Sequence, residues 1–108
     1  KYRWVLERLE EILGRRLPVI HIVGGGIHNQ LLCQFTADAA GRPVIAGPAE
    51  ATAIGNLLVQ ALGLGWLDSV DDIRAVVRTS FSPRLYEPAT SRDGWDAAYA
   101  TLCGQLSD

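Results

Sequence analysis

The run Leu17-Pro18-Val19-Ile20-His21-Ile22-Val23 leads without interruption into Gly24-Gly25-Gly26. Apart from His21 the run is apolar on both faces, and it is rich in β-branched residues. Such a run predicts a strand covered on both sides, the habit of parallel sheets with helices above and below. Pro18 has no N–H for a ladder and can stand only at the start of the strand. A glycine-rich turn directly after it is the second constraint. Together they limit the chain to an α/β architecture.

The rest of the sequence supplies the partners of that strand. Residues 29–40 predict a helix with Leu31, Leu32, Phe35 and Ala39 on its apolar face and Gly41 at its end. Pro43-Val44-Ile45-Ala46 predicts a second short strand. Strand, glycine turn, helix and strand in this order imply two parallel strands joined by a right-handed crossover. Before this unit, residues 2–13 predict an amphipathic helix. Tyr2, Val5, Leu6, Leu9, Ile12 and Leu13 share one face, Arg3, Glu7, Glu10 and Glu11 the other, and Gly14 stops it. After it, Gly47-Pro48 marks a turn, and residues 49–62 predict a helix of small and apolar residues. Gly55 in the middle of that helix points to close approach of another backbone or a ligand. Ser69 with Asp71 and Asp72 opens a further helix as a variant capping box, with Ile73, Val76 and Val77 facing inward. Residues 80–92, with Pro83 and Pro88, predict an extended surface segment. A last helix is expected over 93–105, with Trp95, Ala98, Tyr99, Leu102 and Leu106 on one side.

Two strands cannot bury a sheet on both faces. The chain also opens on Lys1 inside a helix with no capping signal and contains no methionine. Both features predict a piece of a longer protein. Hydrophobic residues make up 48% and charged residues 20% of the 108 residues, a globular composition with enough material for one core. Ten basic and 12 acidic residues give a net charge of −2. That disfavours nucleic-acid and membrane-surface partners, both of which need a positive field. No apolar run reaches the length of a membrane span, and no signal peptide is visible, so a cytoplasmic origin is expected. Cys33 and Cys103 lie far apart without zinc-type spacing and predict free buried thiols.

The chemistry is concentrated in Gly24-Gly25-Gly26-Ile27-His28-Asn29. This segment stands at the carboxyl end of one strand and the amino end of a helix, the edge where open α/β sheets bind ligands. Glycines let a backbone approach a phosphate or a ring, free N–H groups at a helix start favour an anion, and Asn29 carries both a donor and an acceptor. A tight turn with no ligand remains an alternative reading. As a dinucleotide fingerprint the segment is incomplete, since it reads GxGxxN and no acid ends the second strand. Glu50 could touch a ligand, although a first-turn glutamate more often serves as a dipole partner or cap, and Asn56 could orient the glycine loop, although a surface or packing role explains it as well. His21 is expected to be packed and hydrogen-bonded within its strand, His28 to be a loop histidine, and Asp38 has no visible partner. No nucleophile–base pair and no metal-ligand set is legible.

The run His21-Ile22-Val23-Gly24-Gly25-Gly26-Ile27-His28-Asn29-Gln30-Leu31-Leu32 resembles the C-terminal domain of the FGGY carbohydrate kinases, and the rhamnulokinases among them most. The likeness continues through Thr36-Ala37-Asp38-Ala39-Ala40-Gly41, then Val44-Ile45-Ala46-Gly47-Pro48-Ala49-Glu50-Ala51 and Thr52-Ala53-Ile54-Gly55-Asn56. With Val70-Asp71-Asp72 and Arg78-Thr79-Ser80 it covers roughly residues 2–88. The resemblance implies the actin/hexokinase-like, ribonuclease H-like ATPase fold. Residues 1–108 would be the C-terminal portion of its nucleotide-binding domain, with the N-terminal sugar-binding domain outside the chain. It implies ATP and Mg2+ as cofactors and a sugar as substrate, with the phosphoryl group passing to the 1-hydroxyl of L-rhamnulose. It places Gly25, with Gly24 and Gly26, near the nucleotide phosphates and Asn29 on the adenine side. The family's catalytic aspartate lies upstream, so no catalytic residue and no metal ligand is assigned here. Another sugar of the same family (xylulose, fuculose or glycerol), a non-enzymatic α/β interaction module, and a dinucleotide oxidoreductase are the competing readings.

Overall fold

The computed structural model describes residues 1–106. The chain runs α1 (Tyr2–Leu13), β1 (Ile20–Ile22), a 3-10 turn (Gly24–His28), α2 (Gln30–Ala40), β2 (Val44–Ala46), α3 (Ala51–Gly63), α4 (Val70–Ser80), β3 (Arg84–Tyr86) and α5 (Asp93–Leu106). β1 and β2 are parallel, with Ile20 opposite Val44 and Ile22 opposite Ala46. This is the expected crossover unit. Gly14 and Gly41 end α1 and α2 in the left-handed conformation, as their positions predicted. Ser69 accepts from the Asp72 N–H and so caps α4.

The sheet departs from expectation in two ways. A third strand, β3, forms inside the segment read as extended surface chain, and it pairs antiparallel with β2. The sheet is therefore small and mixed, in the order β1-β2-β3. Pro83 and Pro88 flank β3 rather than break it, and Asp38 secures its far end. The Asp38 carboxylate is buried, contrary to its lack of a visible partner in sequence. It accepts from the Ala89 N–H at 2.8 Å and from Gln34 Nε2 at 2.8 Å. Gln34 Nε2 also donates to the Glu87 carbonyl at 2.8 Å. Second, β1 is only three residues long and is not buried on both faces. β2 offers three partners, and the other edge of β1 carries none among the described residues. Ile20 and Ile22 face α2, while His21 points to the opposite face and is exposed.

The core lies between α2 and the sheet. Cys33, Ala37, Val44, Ala46 and Tyr86 form it, with Ile20, Ile22 and Ile27 packed against it. Small side chains dominate, so α2 can lie close on the sheet.

α1 docks through the face that the pattern marked as polar. Arg3 pairs with Asp96 and Glu7, Tyr99 donates its hydroxyl to Glu7, and Arg42 meets Glu10 at 2.9 Å. The Arg3 guanidinium also lies 4.0 Å from the centre of the Tyr99 ring. The apolar face looks outward instead: Val5 and Leu9 are each 46% exposed and Ile12 82%. With β1 this face lines an open groove of about 630 Å³. α5 closes on α2 through Phe35 and Trp95, whose ring centres are 5.3 Å apart.

Candidate nucleotide site

The carboxyl ends of β1 and β2 are tied together by two backbone bonds. The Gly47 N–H donates to the Ile22 carbonyl at 2.8 Å, and the Gly24 N–H donates to the Pro48 carbonyl at 3.2 Å. They bring Gly24-Gly25-Gly26 against Gly47-Pro48-Ala49, so the two segments that stood out in sequence are neighbours. Gly24 has φ +74°, a torsion that side chains with a Cβ resist. Gly26 lies tight on β1, where an added Cβ would be 3.3 Å from Ile22 Cγ2. Gly25 between them is exposed, and its missing Cβ faces open space with no atom within 4 Å. The middle glycine thus leaves an approach to the backbone that its neighbours hold in place.

Asn29 is the N-cap of α2. Its Oδ1 accepts from the Leu32 N–H at 2.9 Å, and its own N–H donates to the Gly26 carbonyl at 3.2 Å. The side chain therefore does not present both a donor and an acceptor outward, because capping takes the acceptor. Nδ2 remains available to donate. Cys33, buried beneath the turn, directs its thiol at the Gly26 carbonyl at 3.8 Å. Neither Cys33 nor Cys103 is in a disulfide, and of the two only Cys33 is fully buried.

The other candidates fall elsewhere. His28 is exposed in the turn. His21 is exposed and its side chain makes no hydrogen bond among the described residues. The expectation of a packed histidine fails because α4 covers that face of the sheet only partly. Glu50 occupies the N-cap position of α3 but makes no capping bond. Asn56 accepts from Gln60 Nε2 at 2.7 Å on the surface of α3. A Cβ added at Gly55 would meet nothing within 4 Å among the described residues, so no close approach explains it. Among the described residues no cluster of three His, Cys, Asp or Glu side chains could hold a metal ion, and no helix is long and apolar enough to cross a membrane.

Sequence reasoning passed over a polar pocket of about 280 Å³ next to this turn, where β3 brings Arg84 and Tyr86 beside His28 and Gln30. The alternation Arg84-Leu85-Tyr86 between two prolines was its only signal.

A parallel strand–turn–helix–strand unit with a glycine turn at its ligand edge defines a class, and comparison places the chain in it. Residues 1–64 match the family model described as the FGGY family of carbohydrate kinases, C-terminal domain. The chain belongs to this family. It is similar to the rhamnulokinase of Bacteroides thetaiotaomicron, 46% identical over 99 residues that cover 92% of this chain and 20% of the relative. The rhamnulokinase of Oceanobacillus iheyensis is 39% identical over 89 residues, 82% of this chain and 19% of the relative. That of Enterococcus faecalis is 43% identical over 88 residues, 80% and 18% respectively. The chain spans about a fifth of the length of the curated relatives it matches.

Proposed function

We propose that this chain is the nucleotide-holding part of a rhamnulokinase-like enzyme, which moves the γ-phosphoryl group of ATP to the 1-hydroxyl of L-rhamnulose. The observation that carries the reading is Gly25, which stands open between a glycine held by its torsion and a glycine held by packing. A phosphate oxygen can approach its N–H without meeting a Cβ. Asn29 Nδ2 then donates toward the adenosine end, while Oδ1 keeps α2 capped. The similarity to rhamnulokinases supports the choice of sugar.

In this reading the chain positions the nucleotide and does not itself activate the sugar hydroxyl. Phosphoryl transfer depends on placing and neutralising the phosphates, and the hydroxyl proton needs a base. Neither the turn nor the polar pocket beside it is lined by a carboxylate. The residues present therefore suit a nucleotide and do not suit Mg2+, which would be held by the nucleotide and by residues outside this chain. The unpaired edge of β1 and the uncovered apolar face of α1 support a larger domain built around this segment, joined to a sugar-binding domain in a cytoplasmic enzyme.

The test is steady-state kinetics on the full-length protein with L-rhamnulose, xylulose, fuculose and glycerol. L-rhamnulose is expected to show the highest kcat/KM. Preference for another sugar would move the assignment within the family. Preference for NAD over ATP in a binding assay would defeat the nucleotide reading.

A further inference from the structure

The cavity between the first turn of α2 and the start of β3 is polar, whereas the grooves along α1 and α4 are largely apolar. His28, Gln30, Ser82, Arg84 and Tyr86 line it, together with Ile27. The pairing of Ala46 with Arg84 sets Arg84 at the carboxyl edge of the parallel strands, where α/β sheets hold their ligands. The Arg84 side chain has no ion pair or hydrogen bond among the described residues, and no acid lines the pocket to neutralise it. Tyr86 is only 9% exposed and its ring belongs to the core, while its hydroxyl keeps access to solvent and is not tied up by another side chain among the described residues.

A guanidinium with two hydroxyls beside it and no competing carboxylate is the chemistry that recognises a phosphoryl group, because its fork of N–H donors matches tetrahedral oxygens. We infer that this pocket is a phosphoryl-binding subsite, with Arg84 supplying the charge and Tyr86 and Ser82 the hydrogen bonds. The inference rests on the nucleotide reading of the glycine turn only for the source of the group, which is either ATP or free phosphate.

The experiment uses the full-length protein, wild type and as Arg84→Gln, Tyr86→Phe and Gly25→Val. Inorganic phosphate is titrated by calorimetry against chloride at matched ionic strength. Phosphate is expected to bind the wild type, about tenfold more weakly after Arg84→Gln and about threefold more weakly after Tyr86→Phe. Tyr86→Phe keeps the ring in the core, so its thermal melting should match the wild type. No phosphate binding by the wild type, or binding that neither variant changes, overturns the inference. Competition between phosphate and ATP, with a raised KM for ATP in Arg84→Gln, supports the pocket and assigns it to the nucleotide. Phosphate binding that persists beside ATP, with an unchanged KM, supports the pocket and assigns it to free phosphate. If Gly25→Val raises the KM for ATP while Arg84→Gln leaves phosphate binding intact, the pocket fails and the turn stands. If Arg84→Gln abolishes phosphate binding while Gly25→Val leaves ATP unaffected, the turn reading fails and the pocket stands.

Discussion

Single residues in the glycine turn divide structural from ligand roles, and substitutions can separate them. Gly25→Val fills the open approach without disturbing a positive φ or a tight contact. It is expected to raise the KM for ATP in the full-length protein more than that for the sugar. An unchanged nucleotide constant would count against the turn. Asn29 has two roles on two atoms. Asn29→Ala removes the cap and should cost about 1 kcal/mol of stability in denaturant unfolding. Asn29→Asp keeps the capping acceptor and loses the Nδ2 donor, so it should retain most of the stability while weakening ATP binding. Equal ATP affinity in wild type and Asn29→Asp would confine Asn29 to capping. Asp38 is a purely structural case. Asp38→Ala leaves the Ala89 N–H without its acceptor, should cost about 1–3 kcal/mol, and should speed hydrogen exchange at Ala89.

Elements are held by chemistry that the pattern of residues only half reveals. The helices and their glycine stops were legible because a 3.6-residue period and a left-handed C-terminal residue are local properties. β3 was not, because a three-residue strand exists through its partner β2 and through the Asp38 anchor, neither of which leaves a local mark. The docking of α5 on α1 was equally hidden, since it depends on the Arg3–Asp96 ion pair and the Tyr99–Glu7 hydrogen bond between residues some ninety positions apart. Those contacts set a pH dependence. Burial opposes ionisation of Glu7, but the bonds from Tyr99 and Arg3 outweigh it and hold the carboxyl below its ordinary range. The bond from Arg3 lowers Asp96 in the same sense. Burial, and then the Glu7 carboxylate, push the Tyr99 hydroxyl far above the usual tyrosine range. Both carboxylates are depressed in the folded state. Their contribution is therefore complete above their unfolded values and is lost as pH falls through the folded ones. α5 should begin to loosen below about pH 4, where unfolded carboxylates titrate. Hydrogen exchange at α5 amides measured between pH 7 and pH 3 checks this, and equal protection at both ends would refute it.

The whole molecule is extended for its length, with principal dimensions of 52 × 28 × 21 Å and a radius of gyration of 16.9 Å. A closed domain of this size is expected near 13 Å. The excess fits an open sheet edge and the α3–α4 pair, where Leu57, Leu64 and Trp66 are more than two-thirds exposed. On the proposed reading this segment positions a nucleotide at one edge and sets no carboxylate beside it, so by itself it should not catalyse. Purified 1–108 is expected to bind ATP weakly and to transfer no phosphoryl group. Sugar-dependent ADP release by this segment would contradict the division of labour proposed above.

The glycine turn and the segments after it resemble the FGGY carbohydrate kinases, and the family model and the relatives agree on that family. What the sequence determined by itself was local: the helices, the parallel crossover, and the glycine turn at its ligand edge. Each is set by torsional preference or by periodicity within a few residues. The tertiary structure alone decided which face of α1 turns inward, that 84–86 joins the sheet, and that Arg84 and Tyr86 share a pocket with His28. Those outcomes depend on which charges and edges meet across the chain, and pairings at that distance leave no periodicity to read.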